Sequence, residues 1–225
     1  MANHSPVRAP EKHIAESTVR RLSLYLRVLE QAGARGQQTI SSDALAEEGG
    51  TTSAQVRKDL SFFGSFGKRG RGYDVGELVS QLQEILGLGR EWKVYIVGAG
   101  KIGSALVSYR GFAQRGFRVM GIYDSNPQLV GRMIDGVGVR SMAQLENDAA
   151  REQPDIAVIT VPAEHAQSVA DRVVGAGVRA IMNFAPAPLH VPSTITVKSV
   201  NMALELEGLA YALVHREAAA DGESR

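Results

Sequence analysis

The feature that most constrains this chain is the stretch Val94-Tyr-Ile-Val-Gly98-Ala99-Gly100-Lys101-Ile102-Gly103. A short apolar run stops at three glycines spaced G-x-G-x-x-G. The run reads as a buried strand, and Ser104, Ala105, Leu106 and Val107 read as the helix after it. Such a junction presents unpaired N–H groups at a helix start, with no Cβ to hold an anion away, so it suits a pyrophosphate. The spacing alone is a weak signal. Here Phe117-Arg-Val-Met-Gly-Ile-Tyr-Asp124 is a second apolar run ending in a carboxylate, at about the 20-residue interval where an acidic side chain meets a ribose hydroxyl. A carboxylate repels a 2′-phosphate, so NADH is expected over NADPH. The bland alternative is a glycine turn with no ligand.

Further on, Ser125-Asn126-Pro127 is a turn, and Leu129, Val130 and Gly131 read as a short irregular helix. Val137 and Val139 suggest a small strand, and Met142 to Ala150 a helix opened by Ser141. Asp155 to Thr160 is a buried strand followed by Val161-Pro162. Ala166 to Val174 is helical and ends at Gly175 and Gly177. Val178 to Met182 is a strand running into Asn183-Phe-Ala-Pro186, and Ile195 to Val200 is the last strand. Near-continuous apolar strands alternating with helices imply a parallel sheet covered on both faces. Ligands of such sheets sit beyond the strand C-termini, so Gly98, Asp124, Thr160 and Asn183 are expected along one edge. Asn201 through Glu217 forms a final helix, apolar on more than one side through Met202, Leu204, Leu206, Leu209, Ala210, Leu213 and Val214. It is expected to dock across a second subunit; the alternative is a helix packed only on its own sheet.

The first 75 residues read differently. Residues 1–16 are a polar arm. Val19, Leu22, Leu26 and Leu29 recur at helical spacing, with Ser17 or Thr18 as cap and Gly33 as stop. A short helix follows Ser41 or Ser42 and ends at Gly49-Gly50. Thr52-Ser-Ala-Gln55 matches a capping box. It opens a helix with Val56, Leu60 and Phe63 on one face and Arg57, Lys58 and Ser61 off it. Two short helices and a tight turn, the second helix basic on its free side, form a helix-turn-helix pattern. Gly64 to Tyr73 then holds four glycines with Lys68, Arg69 and Arg71, which suits a hairpin wing against phosphates. Ser53, Gln55, Arg57 and Lys58 are the expected base and phosphate readers. Lys68, Arg69, Arg71 and Tyr73 are the expected wing contacts. A protein-docking helical domain is the bland alternative. Val75, Leu78, Val79, Leu82, Ile85 and Leu86 mark a connecting helix, and Trp92 reads as packing at the joint.

Composition excludes several classes. With no Cys there is no disulfide, thiolate metal site or thiol switch, and no metal-ligand spacing appears. No apolar run approaches the ~20 residues of a membrane span, and the first residues lack the apolar core of a secretory signal; the expected compartment is the cytoplasm. The net charge of +1 implies no partner, but five Lys and Arg against two Asp within residues 51–75 mark a local basic patch. A dehydrogenase needs a proton donor or acceptor beside the nicotinamide. Of the five histidines only His165, after Val161-Pro162, comes near the expected site, and it has no evident orienting partner. The catalytic set is therefore empty, and an NAD-dependent oxidoreductase with a fused DNA-binding head is the runner-up.

A winged helix followed by a dinucleotide fold resembles the redox-sensing transcriptional repressor family Rex. The resemblance runs from about residue 18 to 216 and rests on Gln55-Val-Arg57-Lys58-Asp59-Leu60-Ser61-Phe62-Phe63-Gly64, Gly67-Lys-Arg-Gly70 with Gly72-Tyr73, Gly98-Ala-Gly-Lys-Ile-Gly103, Tyr109-Arg-Gly-Phe112 and Asn183-Phe184-Ala185-Pro186. It implies a winged helix-turn-helix over 17–75, a linker helix over 76–90 and a Rossmann-like parallel sheet over 91–200. It also implies a C-terminal helix over 201–217 swapped between the subunits of a homodimer, with a tail over 218–225. It implies repression at a palindromic operator, release on binding NADH and competition by NAD+. The nucleotide residues it implies are Gly98 to Gly103, Tyr109, Asp124, Thr160 to Pro162 and Asn183 to Pro186. A switch of Arg27, Tyr109 and the residue at 201 is implied as well; that residue is Asn201, where the better-studied members have Asp, so no ion pair with Arg27 can form and hydrogen bonds are left to keep the geometry. Lys101 stands where the family often has Asn.

Overall fold

The computed structural model describes residues 14–67 and 72–222, with side chains to residue 215. The chain divides between Arg90 and Glu91 into two compact units. The first opens with α1 (Glu16–Ala34), which buries Leu22, Tyr25, Leu26, Leu29 and Ala32 at helical spacing. Neither Ser17 nor Thr18 caps it: the N-cap is Ala15, with no side-chain bond. The helix runs through Gly33, and the left-handed glycine beyond its end is Gly36, at φ +79. β1 (Thr39–Ile40) precedes α2 (Ser42–Glu48), which Ser41 caps by accepting from the Ala44 N–H at 3.1 Å. Thr52 caps α3 (Ser53–Ser61) in the same way, from Gln55 at 3.2 Å. β2 (Tyr73–Asp74) pairs antiparallel with β1, so the returning strand of the wing is held by the segment before α2. α4 (Val75–Ile85) follows, capped by Asp74. Its Val75, Leu78 and Leu82 share one core with α1, so the expected linker helix is an integral wall of the first unit.

Gln55 does not complete the expected capping box. Its amide donates to Asp59 Oδ1 at 2.7 Å instead, because Asp59 is a fully buried carboxylate that collects donors. Arg21 of α1 grips both its oxygens, Nε to Oδ2 at 2.6 Å and Nη2 to Oδ1 at 2.7 Å, and the Tyr25 hydroxyl donates to Oδ2 at 3.0 Å. Burial pushes this carboxyl up, but the bonds from Arg21, Gln55 and Tyr25 outweigh burial and hold it below the usual carboxylate range. Burial, with the Asp59 bond, pushes the Tyr25 phenol up to about 12. The cluster ties α3 to α1 across 38 residues of sequence.

The second unit is a seven-stranded sheet. Its strands are β3 (Trp92–Val97), β4 (Phe117–Asp124), β5 (Met133–Ile134), β6 (Val137–Ser141), β7 (Ile156–Ile159), β8 (Ala180–Asn183) and β9 (Thr196–Ser199), in the spatial order β5-β6-β4-β3-β7-β8-β9. All neighbours are parallel except the β5–β6 hairpin. Setting β5 aside, this is the order 3-2-1-4-5-6 of the doubly wound dinucleotide fold, with its switch point between β3 and β7. The helices are α5 (Lys101–Val107), α6 (Arg110–Gln114), α7 (Leu145–Glu152), α8 (Ala163–Gly175) and α9 (Met202–Gly222). Residues 127–131 form turns where a short helix was expected, and a 3₁₀ turn, Met142–Gln144, with Ser141 in a full capping box, precedes α7. α9 continues past the expected end at Glu217. All its described side chains are exposed, including Met202 at 68% and Leu209 at 62%.

Candidate dinucleotide cleft and nucleic-acid interface

Parallel register brings the strand ends level. Val97 pairs with Tyr123 and with Ile159, and Ile159 pairs with Asn183. Gly98 follows β3 at φ +105, where an added Cβ would sit 2.8 Å from the carbonyl and hydroxyl oxygens of Thr160. A Cβ on Gly103 would collide with the Gly98 carbonyl oxygen. Those two glycines are required by the chain itself. Gly100 is not. Its φ of −70 suits any residue, and an added Cβ meets nothing within 4 Å. The open space above Gly100 is what a bound pyrophosphate would use, so the turn fits a dinucleotide. The Thr160 hydroxyl donates to the Gly98 carbonyl at 2.8 Å, tying β7 to β3 across the switch point.

Asp124 is equally fixed. Its Oδ2 accepts from the Ala99 N–H at 2.7 Å and its Oδ1 from the Asn126 N–H at 2.8 Å. Each oxygen keeps a lone pair for a ribose hydroxyl. Behind it, the Tyr123 hydroxyl donates to Asp148 Oδ2 at 3.1 Å and accepts from Arg140 at 3.1 Å, so a buried polar cluster braces the end of β4. Burial pushes the Tyr123 phenol up to about 12.

A cleft of about 410 Å³ opens along this edge, lined by Gly98, Gly100, Asp124, Thr160, Val161 and Pro162. His165, Ser168, Val169 and Arg172 of α8 complete one wall. Apart from His165 these α8 residues were not among those expected, although their i, i+3, i+4, i+7 spacing is visible in the sequence. The other expected residues lie outside the cleft. Ala99 is buried and Ile102 exposed; Lys101 is exposed at the start of α5. Asn183 is fully buried, donating to the Ala187 carbonyl at 2.8 Å and accepting from the Ala185 N–H at 3.0 Å, so its side chain shapes the Phe184-Ala185-Pro186 loop. Among the described residues no group of three or more His, Asp or Glu is arranged to hold a metal ion, and no helix is long and apolar enough to cross a membrane.

In the first unit, α3 buries Val56, Asp59 and Leu60 and exposes Ala54, Arg57, Lys58 and Ser61, again at i, i+3, i+4, i+7. Arg57 Nη1 donates to the Ser42 hydroxyl at 2.8 Å, which aims the guanidinium along the helix pair. Ser53 is half-buried at the start of α3, and Gln55 is committed to Asp59. Tyr73, expected at the wing surface, is instead a core residue, 8% exposed, because β2 turns its ring inward; burial pushes its phenol up. Lys68, Arg69 and Arg71 lie outside the described residues. Arg57→Ala and Lys58→Ala are each expected to weaken operator binding about ten- to a hundredfold and to leave NADH affinity unchanged. Gel shift and NADH titration of the same preparations check this.

Residues 13–61 match the family model of a putative DNA-binding protein N-terminus, and residues 89–187 match that of a CoA binding domain. The redox-sensing transcriptional repressor Rex of Carboxydothermus hydrogenoformans is 46% identical over 198 residues, covering 88% of this chain and 95% of that protein. The chain belongs to the Rex family. The Rex of Streptomyces coelicolor is also 46% identical, over 212 residues, covering 93% of this chain and 82% of its own. Among solved structures, RSP in complex with NADH is similar at a TM-score of 0.85 and 36% identity, covering 94% of this chain and 99% of that one. RSP in complex with NAD+ and operator DNA is similar at 0.87 and 37%, covering 96% and 99%. Rex relatives are repressors, and the oxidoreductase reading is set aside.

Of the three residues the Rex resemblance implies for a switch, Arg27 is exposed on α1. Tyr109 is 55% exposed, its ring edge-on to Phe112 at 5.2 Å. Asn201 precedes α9, and its Oδ1 accepts from the Ala203 N–H at 3.0 Å, as a helix cap does.

Proposed function

We propose that this Rex-family chain binds palindromic operator DNA as a homodimer and leaves it when NADH occupies the cleft, so that transcription follows the NADH/NAD+ ratio. The observation that carries the reading is a pairing within one chain. A capped α3 exposes Arg57 and Lys58, and a doubly wound sheet carries a glycine turn whose middle glycine, Gly100, faces open space. The turn from Gly98 to Gly103 would hold the pyrophosphate, Asp124 the ribose, and Thr160 to Pro162 the wall beyond. The apolar α9 supports the dimer: Met202, Leu206, Leu209 and Leu213 form one exposed stripe and Leu204 and Tyr211 a second, which a partner subunit would cover. Two α3 helices then read half-sites ~34 Å apart. DNA and NAD(H) as joint ligands support a cytoplasmic location.

NADH releases the DNA only to the extent that it prefers the arrangement of the dimer that does not fit the operator. Moving from mostly bound to mostly free takes ~5 kcal/mol of differential affinity. The reduced ring is neutral and the oxidised ring cationic, so a site that favours the neutral ring supplies that difference. With Asn201 neutral, the switch of Arg27, Tyr109 and Asn201 keeps its contacts through hydrogen bonds and lacks the ion pair. The deciding experiment titrates a palindromic operator complex with NADH and with NAD+. Release by NADH, opposed by NAD+ and without NADH consumption, is expected; equal release by both would sink the redox reading.

A further inference from the structure

We propose that Ser42 is a positioning residue for operator binding: its hydroxyl holds the Arg57 guanidinium at the rim of the DNA groove, where Arg57 grips a backbone phosphate rather than a base. The inference rests on α3 being the helix that meets DNA. Arg57 of α3 and Ser42 of α2 lie 15 residues apart in sequence, and Arg57 Nη1 donates to Ser42 Oγ at 2.8 Å. Ser42 is half-buried and Arg57 exposed. The two helices that carry them are firmly placed. Ser41 caps one and Thr52 the other, and Leu45, Ala46, Val56 and Leu60 seat both on the core of the first unit. The bond therefore ties a long, exposed side chain to a point fixed by the fold.

A guanidinium carries its N–H donors in one rigid plane. With Nη1 engaged on Ser42, the Nε–Nη2 edge stays free, and that edge matches two oxygens of one phosphate. Fixing an arginine on a phosphate costs much of its rotamer freedom. Here part of that freedom is already gone in the unbound protein, so less is lost on binding. The partner of the bond sets its direction. In a helix-turn-helix the second helix enters the major groove and the first crosses the sugar-phosphate backbone. α2 is the first helix of this pair, so a guanidinium tied to it is drawn off the groove floor toward the strand that α2 crosses. Contacts to phosphate add affinity and register without reading sequence. Ser42 is neutral, so it strengthens binding to operator and unrelated DNA alike and adds no charge of its own.

The test uses the full chain. Affinities for a palindromic operator duplex and for a scrambled duplex of equal length are measured across a range of salt concentrations. The proteins are wild type, Ser42→Ala, Ser42→Thr, Arg57→Ala, Lys58→Ala, and Ser42→Ala combined with each of the last two. Ser42→Ala is expected to weaken both duplexes about three- to tenfold with its thermal transition in place, because Ser41 and not Ser42 caps α2. Ser42→Thr keeps the hydroxyl and should bind as wild type does. The loss from Ser42→Ala should vanish in the Arg57→Ala background and persist in full in the Lys58→Ala background. Arg57→Ala should lower the slope of log affinity against log salt by about 0.9 for each subunit bound. Ser42→Ala should leave that slope alone, since the charge stays and only its placement loosens. Unchanged affinity in Ser42→Ala, or a lowered thermal transition, overturns the positioning role. Tighter binding overturns it too, by showing that the bond holds Arg57 away from DNA. An equal loss in the Arg57→Ala background shows Ser42 acting without Arg57, and a loss confined to the operator makes Arg57 a base reader; either sinks the inference and leaves α3 on the DNA. Wild-type operator affinity in both Arg57→Ala and Lys58→Ala removes α3 as the DNA helix altogether.

Discussion

Asp59→Ala is expected to lower the stability of the first unit by about 3–5 kcal/mol and to abolish operator binding with it. The carboxylate is completely buried and accepts from Arg21, Tyr25 and Gln55. Removing it leaves a guanidinium only a quarter exposed and a fully buried phenol hydroxyl without their shared acceptor. The partial exposure of Arg21 lets water take some of the load, which argues for the lower end of that range; the stranded Tyr25 hydroxyl argues for the upper. Asp59→Asn keeps the shape but exchanges charge-assisted bonds for neutral ones, and a smaller loss of about 1–2 kcal/mol is expected. The pH dependence follows from the same carboxyl. It is held below its ordinary value of 3.8, so its stabilisation is complete above that pH and is lost as pH falls through the lower folded value; the alanine variant should lack this acid-labile share. Urea unfolding at pH 7 and pH 3, followed beside NADH titration, checks both points. The residues of the second unit's cores all fall between Val94 and Val197, so NADH affinity should survive. A wild-type unfolding midpoint for Asp59→Ala would show that the cluster does not hold α3 on α1.

How much of this was legible in the sequence depends on the range of the interaction. The caps at Ser41 and Thr52, the parallel sheet implied by alternating elements, and the buried and free faces of α3 are local patterns, and the chain alone displays them. The glycine turn is local only in part: Gly103 answers to the Gly98 carbonyl within one strand–turn–helix junction, whereas Gly98 answers to Thr160, far off in sequence. The partner of Asp59 is not local. Read by itself, Gln55 fits a capping box; Asp59 lies one turn on in the same helix, but only the fold buries it against Arg21 and Tyr25, and a buried charged acceptor outcompetes a neutral cap. Tyr73 looked like a wing residue because the glycines before it suggest a self-contained hairpin, whereas pairing with Ile40 turns its ring inward. Asn183 sits at a strand end, where ligand contacts concentrate, yet its side chain closes its own loop. Arg172 escaped notice because the apolar residues of α8 dominate its pattern, and nothing in the sequence tells which of its polar positions borders the cleft.

Gly100→Thr is expected to fold as the wild type does and to lose NADH and NAD+ by about a hundredfold or more. The two halves of that statement have separate causes. On the protein side, Gly100 is the N-cap of α5 with an extended backbone that any residue adopts, and its Cβ would meet nothing within 4 Å. Threonine caps helices about as well as glycine does, so the thermal transition of the second unit should stay in place. On the ligand side, the added branch fills the space that a pyrophosphate needs to reach the amides at the start of α5. Losing two hydrogen bonds to a charged phosphate accounts for the expected factor. Gly103→Ala is the contrasting variant: its methyl would strike the Gly98 carbonyl oxygen, so it should lower stability and binding together. The pair thus separates a glycine kept for the fold from one kept for the ligand. If Gly100→Thr bound NADH as tightly as wild type, no dinucleotide would cross the turn, and the junction would be an ordinary glycine corner. If it lost the nucleotide but kept the operator, the repressor would stay on DNA at every NADH/NAD+ ratio, because the cleft could no longer move the equilibrium that α3 reports.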